Sequence, residues 1–309
     1  MAAITSWTLT EPLAGLRAQA LGLAEAAGLA PEQRDLRVRG IWRHVPAAWW
    51  PRPLAAIETL PPALPELVIG CGGKSAAVLA ALHGRTRTVI VQHPRLDPRR
   101  FDLVVAARHD RLTGPNVLVT RTAMHRATPA RLAEAAAMWA PRFAHLPRPL
   151  VAVLVGGGNG RFRLDRDVGT TLAGQLAGMM REDRVGLMLT PSRRTDAAVR
   201  QILHDALTPL GGWLYDTTSE NPYFGMLALA DAIVVTGDSV SMVSEAVATS
   251  APVLLARLPG RSARISRFLD GLLADGRIRP FHSRLETWDT APLDDTAVAA
   301  REMQRRLGF

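Results

Sequence analysis

Between Asn221 and Ala246 the chain reads NPYFGMLALADAIVVTGDSVSMVSEA, which predicts a short helix, a buried strand from Ala232 to Thr236, a tight turn and a second helix in one unit. Asp238, Ser239 and Ser241 stand where the second helix begins, with Met242 just inside it. A helix start presents unpaired backbone N–H groups and the positive end of the helix dipole. At the carboxyl end of a strand, that is where open α/β sheets hold phosphorylated ligands. Glu245 follows one to two turns into the helix, where a carboxylate can accept hydrogen bonds from vicinal hydroxyls such as those of a ribose. A plainer reading also fits this segment alone: Asp238 or Ser239 caps the helix and Glu245 is solvated.

Two more strand ends in the second half carry groups suited to oxyanions. Leu150 to Val155 is a fully apolar strand that runs into GGGNGRF, where Gly157 and Gly158 let backbone N–H groups approach a diphosphate closely. Asn159 follows, and Arg161 adds a charged fork. A dinucleotide fingerprint is unsupported, because Arg161 stands where the last glycine of G-x-G-x-x-G would fall. Val185 to Thr190 is the next strand and leads into PSRRTD, with Ser192, Arg193, Arg194 and Thr195 at the turn before a helix from Ala197 to Leu207. Three such strand ends are hard to explain as capping alone. Asp165 and Asp167 form a D-x-D, a metal-holding pattern in some sugar transferases, but acidic residues also suit a helix's first turn. The helix-start reading is preferred, and no metal is expected.

The first half has weaker signals. Glu66 to Gly70 is a strand feeding CGGKSA, yet Val68 occupies the place of the first glycine of a Walker A loop, so the turn either holds an anion or only reverses the chain. His93, His109 and Asp110 sit just beyond the predicted strands Thr88 to Gln92 and Asp102 to Ala106, where site residues gather. A lone histidine in such a place is more often structural. Trp49 and Trp50 lie in the proline-broken segment PAAWWPRPLAAIETLPPALP, and core or inter-domain packing is favoured for them over contact with a membrane or acceptor.

The positioning elements alternate. A strand from Ile4 to Thr10, a helix from Gly15 to Ala27 and a strand from Leu36 to Trp42 open the chain, and NVLVT and a helix from Pro129 to Phe143 close the first half. Beyond the proline-rich AHLPRPL the pattern restarts, which sets a boundary at residue 147. Strands at Gly212 to Tyr215 and Pro252 to Ala256 and helices near Ala263 to Leu273 and Ala297 to Leu307 follow. Strands alternating with helices imply parallel sheets wound on both faces. The expected fold is α/β: two Rossmann-like doubly wound domains facing a cleft, residues 1–147 and 148–309, with the final helix packing back on the first.

Composition narrows the function classes. The chain has 309 residues, 48% of them hydrophobic, and a formal charge of +9. Lys74 is the only lysine, so the basicity resides in arginine and resembles codon bias in a GC-rich genome. With neither a lysine-rich tail nor a basic stripe interleaved with aromatics, no nucleic-acid partner is expected. Cys71 is the only cysteine, which excludes an intrachain disulfide and fits a reducing, cytoplasmic setting. Glu11, Arg17 and Glu25 interrupt the apolar N-terminus, so no leader peptide is read there. No run approaches the roughly 18 uncharged residues that span a bilayer. Any membrane contact is therefore expected to be peripheral.

SWTLTEPLAG, LVIGCGGKSA, PRLDPRRFDLVV, RHDRLTGPNVLVTR, GGGNGRFRLD, TPSRRT and the segment from Asn221 together resemble the family of the plant elongated-mitochondria fission factor and its bacterial homologues, from Trp7 to Phe281. That family is similar to the two-domain GT-B nucleotide-sugar glycosyltransferases, whose C-terminal domain binds the donor and N-terminal domain the acceptor. TGDSVSMVSEA resembles the SGALTVSE-type segment of the bacterial lipid-linked N-acetylglucosaminyl transferase. The comparison implies that Glu245 binds the donor ribose, that Ser241 and Met242 lie near the nucleotide and diphosphate, and that Gly156 to Gly158 approach the phosphates. Asn221 and Tyr223 fall in the same matching segment. Retaining members of the fold carry two glutamates eight positions apart, and here the earlier position is Gly237, which implies inversion.

The resemblance thus implies an inverting, metal-independent transferase that uses a UDP- or GDP-sugar as donor and no further cofactor. Its general base would come from His93, His109 or Asp110 across the cleft. A lipid-linked acceptor at the inner membrane face is compatible with the charge and with Trp49 and Trp50. The alternative implied by the plant relative is a non-catalytic nucleotide-binding or scaffold protein.

Overall fold

Apolar runs of four to six residues, rich in Val, Ile and Leu and bounded by glycine or polar turns, form the strands of this chain, and the amphipathic segments between them form the helices. The computed structural model describes residues 4–309; Met1 to Ala3, at the head of the stretch read as carrying no leader, lie outside the described residues. In chain order the first elements are β1 (Ser6–Thr10), α1 (Ala14–Ala26), β2 (Glu32–Asp35), β3 (Leu67–Cys71), α2 (Gly73–Leu82), β4 (Arg87–Val91), β5 (Leu103–Ala107), β6 (Val117–Thr120) and α3 (Pro129–Phe143). There follow β7 (Leu150–Val155), α4 (Arg166–Asp183), β8 (Gly186–Pro191), α5 (Ala197–Leu207), β9 (Trp213–Leu214), α6 (Tyr223–Leu229) and β10 (Ala232–Thr236). The last elements are α7 (Val240–Val247), β11 (Val253–Ala256), α8 (Ala263–Ala274), β12 (Ile278–Pro280) and α9 (Asp295–Leu307).

The chain divides into two compact units, one running to Arg126 and resuming at Asp294–Phe309, the other Ala127–Leu293. In the first, a six-stranded parallel sheet has the order β2-β1-β3-β4-β5-β6. Helix α9 packs against α1 in this unit, placing Ala299, Ala300 and Met303 in a core with Leu23, Ile69 and Val89. The second unit holds a parallel sheet of order β12-β11-β10-β7-β8-β9. Its central strands β7 and β10 are buried along their whole length, so one face packs on α7 and α8 and the other on α4 and α5.

The division differs from a boundary at residue 147. Helix α3 belongs to the second unit because Trp139 and Phe143 are buried in that unit's core, with Phe143 5.0 Å from the ring of Trp213. The segment from Leu36 to Trp42 is not a strand of the sheet. Instead β2 is the charged Glu32–Asp35, an edge strand whose exposed side chains give no apolar signal, and Gly40, at φ +48°, turns the chain into a 3₁₀ turn over Gly40–Arg43. Asp165 accepts from the Val168 N–H at 3.2 Å as the N-cap of α4, so the D-x-D is a helix start.

Candidate functional site

The second sheet winds outward in both directions from β7, to β8 and β9 on one side and to β10 and β11 on the other. Between β7 and β10 the winding reverses. In open α/β sheets the loops at the carboxyl ends of such strands diverge and leave a crevice for ligands. The loop after β7 is the glycine segment from Gly156, and the loop after β10 is Gly237 to Ser239, the entry to α7.

A single carboxylate ties these loops together. Asp238 Oδ1 accepts from the Thr236 hydroxyl at 2.7 Å, and Oδ2 accepts from the Gly157 N–H at 3.1 Å and from Arg194 Nη2 at 2.9 Å. Arg194 Nη1 donates to the Gly157 carbonyl at 2.8 Å. The Gly156 N–H donates to Thr236 Oγ1 at 2.7 Å, and the Thr195 hydroxyl donates to the Gly156 carbonyl at 2.5 Å. Ser192 completes this turn, its N–H donating to Thr195 Oγ1 at 2.9 Å. The packing requires glycine: a Cβ at Gly156 would meet Asp238 Oδ1 at 2.1 Å, and one at Gly157 the Arg194 carbonyl at 2.2 Å.

This geometry turns Asp238 and Thr195 away from any ligand. The Asp238 side chain is 0% exposed and Thr195 is buried, so both hold loops in place and neither presents a free oxygen to a ligand. The sequence places both Arg193 and Arg194 at this turn. Arg193 is exposed, and its neighbour Arg194 makes the bridge. Two adjacent arginines offered no signal for which one turns inward.

Other candidates stand at the surface of the same loops. Gly158, Asn159 and Arg161 are exposed. Asn159 folds the loop by accepting from the Arg161 and Phe162 N–H groups, each at 3.1 Å, and by donating to the Asp238 carbonyl at 3.3 Å. An open depression of about 650 Å³ beside this loop is lined by Gly158, Arg161, Arg163 and Arg166, with Asp165 and Asp196. Ser239 caps α7 by accepting from the Met242 N–H at 3.4 Å. Ser241 and Met242 are half-buried on the first turn, with Met242 against the core.

Glu245 is brought to Tyr223, whose hydroxyl donates to Oε2 at 2.6 Å. Burial pushes the Glu245 carboxyl up to about 7, against the opposing effect of the Tyr223 hydrogen bond, and pushes the Tyr223 phenol well above its ordinary value. The short helix α6 sets the tyrosine: Asn221 Oδ1 accepts the Tyr223 N–H at 3.0 Å, and α6 lies so close to α3 that a Cβ at Gly225 would meet the Trp139 ring at 2.5 Å.

The first unit repeats the topology with its own reversal between β1 and β3. There Lys74 Nζ donates to Glu11 Oε1 at 2.9 Å, so the charge of the CGGKS turn is matched within the fold. The candidate bases are not alike. The side chains of His109 and Asp110 are buried, 3% and 5% exposed, with Nε2 3.8 Å from Oδ1. His93 Nδ1 accepts the Arg95 N–H at 2.9 Å, which puts the proton of a neutral ring on Nε2. Among the described residues no three of His, Cys, Asp and Glu gather as metal ligands, and no helix is long and apolar enough to cross a membrane.

A model of the mitochondrial fission ELM1 family matches residues 14–307. The chain belongs to that family. It is 31% identical over 274 residues to the Mitochondrial fission protein ELM1 of Arabidopsis thaliana, a match covering 79% of this chain and 64% of that protein. An uncharacterized protein of Rickettsia prowazekii is 30% identical over 165 residues, covering 51% of this chain and 46% of the other. The matched part is thus less than two thirds of either relative's length. Among solved structures, the UDP-GlcNAc 2-epimerase of Methanocaldococcus jannaschii aligns with a TM-score of 0.55 at 10% identity, over 97% of this chain and 99% of that one. A ugt transferase from Siraitia grosvenorii in complex with UDP aligns at 0.54 and 9%, over 99% and 91%. These likenesses establish the fold of this ELM1-family chain, a GT-B-like pair of Rossmann-like sheets.

Proposed function

We propose that the protein binds a nucleoside-diphosphate sugar, UDP- or GDP-linked, at the carboxyl ends of β7, β8 and β10 and transfers the sugar to an acceptor hydroxyl with inversion and without a metal. The observation that carries this reading is the pairing at the topological reversal: a glycine loop and a helix entry fixed to each other through Asp238, with Glu245 on the helix beyond them. Here the diphosphate lies at the exposed Gly158, Asn159 and Arg161 and at the entry of α7, where backbone N–H groups and the helix dipole offset the charge of the leaving group. The vicinal hydroxyls of the ribose donate to Glu245, whose Oε2 Tyr223 already holds. His93, His109 and Asp110 are the proposed sources of the base that takes the acceptor proton.

A second reading, a nucleotide-binding scaffold without turnover, is favoured by those same three groups, since two are buried and the third has its Nδ1 engaged. The printed name of the Arabidopsis relative, a fission protein, points the same way.

Calorimetric titration with UDP, GDP, CMP and ADP, with and without magnesium, tests the site. We expect one diphosphate nucleotide to bind selectively and equally in both conditions, and Glu245→Ala to weaken it by about tenfold or more. No binding to any of them removes the proposal; binding without turnover of any sugar conjugate selects the second reading.

A further inference from the structure

Residues 36–57 of the first unit read LRVRGIWRHVPAAWWPRPLAAI, a run with four arginines and no acidic residue between Asp35 and Glu58. Arg37, Arg39, Arg43 and Arg52 are all exposed. In the same run Ile41 is 71% and Trp49 75% exposed, above the 56% of Leu13, 50% of Val298 and 49% of Val119 in the rest of the unit. Each stands in a 3₁₀ turn, Gly40–Arg43 and Ala47–Trp49.

The turns are built, not loose. Trp42 and Trp50 meet edge to face at 6.5 Å and join them, and Trp50, 5% exposed, donates from Nε1 to the Val45 carbonyl at 3.1 Å. Arg43 Nε donates to the Val38 carbonyl at 2.9 Å, and Val38 bridges Ile57. One tryptophan of the adjacent pair therefore anchors the segment in the core, and the other is left in water by a rigid scaffold. The same segment contributes Arg39, Leu54 and Ile57 to a recess of about 320 Å³ that Leu60, Leu82 and Arg85 also line.

We infer that this segment docks on an anionic lipid bilayer, with Trp49 and Ile41 entering the interface and the arginines lying over the headgroup phosphates. Tryptophan suits that interface because its ring is apolar and its N–H stays wet. Arginines near an anionic surface each add attraction that falls away within a Debye length. An acidic protein would match the arginines alone; a bilayer matches the charge and the two exposed apolar side chains together.

The test is sedimentation of the full chain with vesicles of phosphatidylcholine containing one third phosphatidylglycerol, beside pure phosphatidylcholine. We expect binding to the mixed vesicles only, weakened by salt. Arg37→Gln with Arg52→Gln should reduce it by about tenfold or more, whereas Arg181→Gln with Arg257→Gln, exposed in the second unit, should leave it nearly unchanged. Ile41→Ser with Trp49→Ser replaces surface side chains, should leave thermal unfolding in place, and should lower binding several-fold. Brominated acyl chains should quench the wild type more than Trp49→Phe. Failure to bind the mixed vesicles, or binding indifferent to Ile41 and Trp49, overturns the inference. A wild type that is dimeric where Trp49→Ser is monomeric, with equal vesicle binding, assigns the face to a second copy and also overturns it.

Discussion

Asp238 Oδ2 receives the Arg194 guanidinium at 2.9 Å from a side chain with no exposed surface, while Arg194 itself is 40% exposed. The two partners therefore differ in what their loss would cost. Asp238→Ala leaves the Gly157 N–H and the Thr236 hydroxyl buried without their acceptor, whereas Arg194 can turn to water. The expected loss of stability for Asp238→Ala is about 2–4 kcal/mol, and for Arg194→Ala about half that, because Thr236 and Gly157 still serve the carboxylate. Urea unfolding of the two variants measures the difference; equal losses would show that the ion pair, and not the buried cluster, holds the loops.

The glycine loop divides the same way. Gly157→Ala drives a Cβ to 2.2 Å from the Arg194 carbonyl, a backbone atom that cannot yield, while at Gly158 the nearest atom would be the Phe162 carbonyl oxygen at 3.7 Å. Gly157→Ala should cost about 2 kcal/mol or more and displace the Arg194 bridge, and Gly158→Ala should stay within about 0.5 kcal/mol. Thermal unfolding separates them. Nucleotide affinity should fall in the first variant even under conditions where it remains folded.

Glu245 should make stability and nucleotide binding respond to pH in opposite senses. Its carboxyl is pushed up to about 7 from an ordinary 4.5, so the folded chain holds this proton more tightly than the unfolded chain does. The stabilising contribution is complete below pH 4.5 and is lost as pH rises to about 7, a change on the order of 3 kcal/mol at most. Glu245→Gln should flatten that slope. Vicinal hydroxyls donate best to the ionised carboxylate, so nucleotide affinity should rise over the window in which stability falls. Tyr223→Phe removes a hydrogen bond that lowers the Glu245 value and should move the midpoint of the binding curve upward. A binding curve flat from pH 5.5 to 8.5 would remove Glu245 from the ribose.

Much of the fold could be read from the chain because its central strands are buried on both faces. Leu150–Val155 and Ala232–Thr236 are buried throughout, apolar but for Thr236, and begin and end where the pattern places them. The strands at the sheet edges could not be read so well. Glu32–Asp35 is charged and exposed along one side, and Ile278–Pro280 is only three residues long, so neither differs in composition from a loop. At the site, residue type and spacing placed the glycine loop at the end of β7 and Glu245 inside the helix after β10, while Tyr223 came in only with the segment from Asn221. They could not show that Asp238 faces inward, since Asp at a helix start has the same sequence signature whether it caps, binds a ligand or ties two loops. Ser239 took the capping role, which left Asp238 for the third.

The unit boundary gives the last prediction. AHLPRPL looks like a linker because it is rich in proline, yet the helix before it, α3, carries Trp139 and Phe143 into the second core, where Trp139 stacks on Phe143 at 5.5 Å and meets Trp213 at 6.3 Å. Helix α6 has a glycine at the point of contact, so its fit depends on the Trp139 ring. Removing either ring should cost about 3–5 kcal/mol, a large share of the roughly 5–15 kcal/mol that holds a domain. A fragment of residues 127–293 should therefore unfold in one cooperative step, and one of residues 148–293, lacking α3, should lack a cooperative transition and expose Trp213 to quenching by iodide. If the shorter fragment unfolds as sharply as the longer, α3 lies on the second core without being part of it, and the boundary returns to residue 147.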